Sequence, residues 1–349
     1  MNPRLLGAGL IYGAAFAIAA VVCLLATPLI VRLANRLGIV DADGDERRMH
    51  DSPKPRVGGI AVFFGFSFAL FAVLGVSMGS PFTLLPSIDQ FDAVHRLVGL
   101  LFGSLLIVGV GVWDDVMQMR PRNKLVAQIV VALVSMMYGF IIPGITNPFD
   151  RNPGTNWIDF PLWAGVPLTL IWYVGMMNAI NFLDGLDGLL AGVAAISSVF
   201  LFVIALLHGN PVVALVVIAL AGAALGFLPY NFNPARIILG DAGSLFIGYV
   251  FATVSIIGAS KTAIAISVVV PLLVLALPVL DTVAAIVRRA SSGKRITEAD
   301  RGHFHHQLIF RFGLNVRQAV LLLYAVCFVL GAVALVFSGE FTHVFRHAT

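Results

Sequence analysis

Apolar runs of roughly twenty residues recur along almost the whole of this chain, and they leave it one environment to fold in. A hydrocarbon core about 30 Å thick takes roughly 20 residues of helix, and every backbone polar group inside it must be satisfied within the segment. Charged residues make up 11% of the 349 and hydrophobic ones 59%, against about 25% charged in soluble domains. The chain therefore reads as all-α, a polytopic integral membrane protein with spans near 7–31, 57–77, 95–113, 124–142, 161–178, 189–208, 211–230, 244–260, 263–287 and 318–338. That is ten spans; Pro271 and Pro278 would kink or break the ninth, and eleven is the alternative count. The first run exceeds the about 7–15 residues of a signal-peptide core and reads as a retained span. With no fixed-period repeat and no stretch long enough for a soluble domain, residues 1–349 read as one transmembrane domain.

The net charge of +4 invites a nucleic-acid partner, but its placement argues for topology instead. Of the 22 Lys and Arg, 17 fall in 32–56, 114–124, 179–188, 231–243 and 288–317, which lie on one side in the ten-span reading. The positive-inside rule makes that side cytoplasmic. The implied partner is membrane lipid, with no nucleic acid. Cys23 and Cys327 lie inside apolar runs and read as buried free thiols. Residues 143–160, rich in Pro, Asn and Gly, read as turns on the far side.

Polar clusters fall on the same cytoplasmic face. A carboxylate at the bilayer centre costs roughly 2.5–3.5 kcal/mol, so Asp114, Asp115, Asp184, Asp187 and Asp241 must gather at a watery face around something positive. Asp114 and Asp115 end one span and Lys124 begins the next. Such a pair suits a divalent cation, a phosphate-bearing partner held through it or, more simply, a solvated helix end. Asn178, Asn181, Asp184 and Asp187 recur at every third position. In a helix they form one drifting stripe, and if the glycines unwind it they line a loop. These oxygens suit Mg²⁺, which keeps waters for exchange with phosphate. Asn231 and Asn233 precede Gly240-Asp241-Ala242-Gly243-Ser244, where the glycines permit close approach to a ligand and Ser244 serves as a cap. Arg301, His303, His305 and His306 sit in the most basic loop. Three histidines raise zinc, but thiolates are absent and no i, i+4 pair forms, so donors to a diphosphate are the preferred reading. The rival from another class is an ion-coupled transporter. Transporters place such groups at the midplane between repeated halves, whereas here they share one face without internal symmetry.

Taken in order, the motifs are Pro53-Lys54-Pro55-Arg56-Val57-Gly58-Gly59, Asp114-Asp115 with Lys124, Asn178 through Gly188, Asn231 with Gly240 to Ser244, and His303-Phe304-His305-His306. On these the chain resembles the polyprenyl-phosphate N-acetylhexosamine-1-phosphate transferase superfamily, from about Asp41 to Leu314. The histidine motif is similar to that of the WecA/TagO-type branch and unlike the MraY-type run. The resemblance implies Mg²⁺-dependent transfer, with Mn²⁺ as the alternative ion, of a sugar 1-phosphate from a UDP-sugar to polyprenyl phosphate, releasing UMP. It implies a site on the cytoplasmic face of the bacterial inner membrane and the first step of an envelope glycan, with cell wall, lipopolysaccharide O-antigen and teichoic acid all open. UDP-N-acetylglucosamine is the default donor, UDP-N-acetylfucosamine the alternative, and undecaprenyl phosphate the acceptor; a homodimer is left open.

Carried over by matching positions, the resemblance makes Asn181 and Asp241 metal ligands with Asp184 close by. It puts Asp187 and Asn231 near the uridine and Lys124 near phosphate, and makes Asp114 the candidate base toward the lipid phosphate. Asp115 and Asp184 complete the catalytic set, and Asn178 and Gly240 join the substrate-binding residues. Arg301, His303, His305 and His306 would contact the diphosphate-sugar. Members often carry an aromatic residue at the uracil where this chain has Ile238. A phosphate monoester's second pKa is about 6, so positioning and charge stabilisation outweigh proton abstraction.

Overall fold

The computed structural model describes residues 3–40, 54–79, 90–146, 157–258, 308–309 and 312–346. Long helices dominate them: α1 (Pro3–Leu37), α2 (Gly59–Gly79), α3 (Gln90–Met117), α4 (Pro121–Met137), α5 (Leu162–Leu183), α6 (Leu189–Leu207), α7 (Pro211–Asn231), α8 (Gly240–Gly258) and α9 (Val316–Arg346). All but α4 are long and apolar enough to cross a membrane, which gives eight candidate spans among the described residues. The chain is an all-α polytopic membrane protein. Every expected span in the described residues coincides with a helix; the one expected near 263–287 lies outside them.

Two groups of helices share α2. In the first, α7 packs on α1, α6 and α2; in the second, α8 packs on α3, α5 and α2. Lipid tails are as apolar as leucine, so helices associate in a membrane through close packing of small residues. Gly222 and Gly226 of α7 do this against α1: a Cβ at either would stand 2.3 Å from a carbonyl oxygen, of Phe16 and Ala20 respectively. Phe246 of α8 meets Phe66 and Phe63 of α2 edge-on, with ring centroids 5.3 and 5.7 Å apart. Buried hydroxyls tie α8 to its other neighbours. Tyr249 OH pairs with Ser135 Oγ of α4 at 2.9 Å, and Tyr173 OH of α5 pairs with Thr253 Oγ1 at 2.9 Å.

The stretch expected to be turns contains a short antiparallel ribbon, β1 (Gly144–Thr146) with β2 (Trp157–Asp159), in the register Gly144↔Asp159, Ile145↔Ile158 and Thr146↔Trp157. Three residues per strand are too few for an alternation to show in the sequence. At the opposite end of the bundle, short connections join α3 to α4, α5 to α6 and α7 to α8, and these hold the polar clusters.

Candidate active site

Lys124, in the first turn of α4, reaches two carboxylates contributed by other helices. Its Nζ lies 2.9 Å from Asp114 Oδ2 near the end of α3 and donates a short hydrogen bond to Asp241 Oδ2 in the first turn of α8. Asp114 is steadied from its own chain, its Oδ1 accepting the Met119 N–H at 2.7 Å. Asn181, near the end of α5, donates through Nδ2 to Asp241 Oδ1 and to Ser244 Oγ, each at 2.7 Å. The amide oxygen of Asn181 is left as an acceptor or ligand. Asp184 follows directly where α5 stops. Burial first, then the charge of Asp241, push its carboxyl up to about 7; Arg56 and the Gly240 N–H pull the other way.

A second layer seats the start of α8. Asp115 accepts the N–H groups of Asp241 at 2.8 Å and Ala242 at 3.0 Å, one on each carboxylate oxygen. Both would otherwise be orphans of the first helical turn. The Pro55–Gly59 segment pairs with the chain entering α8: Ile238 N–H donates to Pro55 O, Gly58 N–H to Ile238 O and Gly59 N–H to Leu239 O, at 2.8–3.0 Å. Gly240 has φ +73°, and a Cβ there would fall 1.7 Å from Arg56 O. The chain's own backbone therefore requires a glycine at this position. Ser244, expected to cap the helix, lies inside it and accepts from Asn181.

Beside this lies a second polar cluster organised by Asp187, which is 4% exposed. Its Oδ2 accepts from Lys54 Nζ at 3.3 Å, Asn233 Nδ2 at 3.2 Å and Ala235 N–H at 2.9 Å. Asn231, also buried, accepts the Gly188 N–H at 3.2 Å and donates to Ile237 O at 3.0 Å. From α9, Arg317 Nε donates to Asn233 O at 3.0 Å.

The structure thus brings Asp114, Asp115, Lys124, Asn181, Asp184 and Asp241 into one cluster, with Asp187 and Asn231 alongside. Asn178 does not join them. Its Nδ2 donates to Gln128 Oε1 and Val174 O, both at 2.8 Å, so it ties α5 to α4 one turn away from the cluster. Of the two readings of this segment, the continuous stripe fails and the unwound one holds for its second half: α5 ends at Leu183, and Asp184 and Asp187 belong to the following turn. Arg301, His303, His305 and His306 lie outside the described residues. Lys54 and Gln128 were not singled out from the sequence. Lys54 stood inside a quoted motif but served only as a charge to count, and Gln128 is a lone amide in an apolar helix.

The family model described as Glycosyl transferase family 4 matches residues 97–259, which include most of α3, all of α8 and every cluster residue between them. A probable undecaprenyl-phosphate N-acetylglucosaminyl 1-phosphate transferase of Bacillus subtilis is 34% identical over 92% of this chain and 84% of its own. A decaprenyl-phosphate N-acetylglucosaminephosphotransferase of Mycobacterium tuberculosis is 35% identical over 88% of this chain and 77% of its own. A phospho-N-acetylmuramoyl-pentapeptide-transferase of Staphylococcus aureus is 28% identical over 91% and 96%. Likeness of this extent, over nearly the whole chain, places it in glycosyl transferase family 4.

Proposed function

We propose that this protein transfers N-acetylglucosamine 1-phosphate from UDP-N-acetylglucosamine to undecaprenyl phosphate, on the cytoplasmic face of the bacterial inner membrane, with Mg²⁺ as cofactor. A phosphate oxygen of the lipid attacks the sugar-bearing β-phosphorus, the bond to the bridging oxygen breaks, and UMP leaves. The product is polyprenyl-diphosphate N-acetylglucosamine, the starting unit of an envelope glycan. The observation that carries the reading is Lys124 held between Asp114 and Asp241 beside Asn181.

Two phosphate-bearing substrates repel each other, so a site that joins them needs positive charge. Asp114, Asp115, Asp184 and Asp241 bring four carboxyl groups against the two cations Lys124 and Arg56, and the raised Asp184 is the one that an added cation would draw fully into its charged form. A divalent ion fits that deficit, and oxygen-only donors suit a hard one. Among the described residues no three His, Cys, Asp or Glu converge to cage an ion. An ion bound here would draw part of its shell from phosphate and water. Asp241 and Asn181 would hold it, and it would supply neutralisation of the diphosphate. Lys124, freed from one carboxylate when phosphate enters, holds the transferring group in line. Asp114 faces the lipid phosphate, where orientation matters more than proton removal. Asp115 keeps α8 in place, and Asp187 with Asn231 receives the nucleoside. N-acetylglucosamine is favoured over a muramoyl-pentapeptide by the higher identity to relatives named for it.

Purified protein incubated with labelled UDP-N-acetylglucosamine, undecaprenyl phosphate and Mg²⁺ should yield label in the organic phase and free UMP, and excess chelator should stop both. No labelled lipid from this donor or from UDP-N-acetylfucosamine would overturn the reading. Transfer from the latter alone would replace the sugar.

A further inference from the structure

The donor-side loop is held from a helix to which neither the sequence motifs nor the proposed chemistry gives a part. Gly188 closes the loop between α5 and α6 at φ +82°, the left-handed region, and its N–H donates to Asn231 Oδ1. Its carbonyl accepts twice, from the Gly192 N–H at 3.0 Å and from the phenol of Tyr324 in α9. Two glycines make room for that phenol. A Cβ at Gly192 would stand 2.0 Å from both Tyr324 Oη and Cζ, and one at Gly188 would stand 3.0 Å from the Phe232 ring and 3.5 Å from Tyr324 Oη. A phenol inside a helix bundle needs a partner for its O–H. Here the partner is the backbone one residue from Asp187.

We propose that Tyr324 is a positioning residue for the donor substrate: through Gly188 it fixes the loop that carries Asp187 and presents Asn231. This rests on the transferase reading above, in which Asp187 and Asn231 receive the UDP-sugar. The lipid-phosphate side, built on Asp114 and Lys124, has no such tie to α9 among the described residues. A defect at Tyr324 therefore separates the two substrates, where a general packing defect would not.

Tyr324→Phe removes only the hydroxyl. Gly192→Ala keeps the phenol but puts a methyl where it sits, while favouring the helix itself. Both single variants and the double variant are assayed with UDP-N-acetylglucosamine and undecaprenyl phosphate, and hydrogen exchange over residues 184–192 is read without substrate. Each single variant should raise the donor KM roughly 5–20-fold, the scale of one lost hydrogen bond. The lipid KM and kcat should change by less than about two-fold, and exchange in the loop should quicken. The double variant should be no worse than the worse single one, because both remove the same contact. An unchanged donor KM, equal losses for both substrates, or unchanged exchange in both single variants would each overturn the proposal. If the unaltered protein transfers nothing from any UDP-sugar, the transferase reading fails by itself, and exchange alone still decides whether Tyr324 holds the loop.

Discussion

Lys124 answers Asp114 and Asp241 at once, with side chains 11–18% exposed, so its removal does more than delete one cation. Lys124→Met leaves two carboxylates facing each other in a poorly hydrated space. Transfer should fall by about 100-fold or more, as when a charge aimed at a reacting group is lost. Lys124→Arg should not restore it, because a planar fork does not replace a point charge between two acids. Asp241→Ala should remove transfer while the protein still inserts, and it should flatten the Mg²⁺ dependence of whatever activity is left. Initial rates against Mg²⁺ concentration measure both. Near-normal rates in Asp241→Ala would end its assignment as a ligand.

At the scale of elements, α8 begins where it does because another helix satisfies it. Its first N–H groups are met by Asp115 of α3, 126 residues earlier in the chain. Asp115→Asn keeps the shape but turns one acceptor into a donor facing an N–H. The expected cost is about 1–3 kcal/mol, the desolvation of an unpaired group, read as a lower Tm with both KM values little changed in the folded fraction. Were Asp115 a participant in the chemistry, kcat would collapse at an unchanged Tm. Such partnerships explain what the sequence conceals. The helices were legible because a span is a property of one segment, and the clustering of Asp114, Asp184 and Asp241 followed from the cost of charge in lipid. Local reasoning offered only Ser244 as a cap, since the real acceptor lies on another helix. It also set Asn178 beside Asn181, because spacing cannot tell that one amide faces α4 and the other α8.

For the molecule as a whole, the proposed cytoplasmic facing of the clustered end rests on the 17-to-5 division of Lys and Arg and is open to a direct test. Ser292→Cys and Thr155→Cys should label from opposite sides of sealed vesicles, Ser292→Cys from the cytoplasmic one. The native Cys23 and Cys327, both 0% exposed, should stay silent. Labelling of both sites from one side would break the ten-span arrangement. The pairing of Pro55–Gly59 with Ile238–Leu239 adds a constraint in time. A ribosome finishes the first strip of that pairing early and the second only after the seven helices described before Ile238 have been made. During most of synthesis the Pro55–Gly59 backbone has no partner, and each helix can enter the bilayer without the catalytic end existing. The clustered end thus comes into being late and all at once: a nascent chain arrested after Asn231 is a membrane protein that still lacks Asp241 and the backbone strip that seats it.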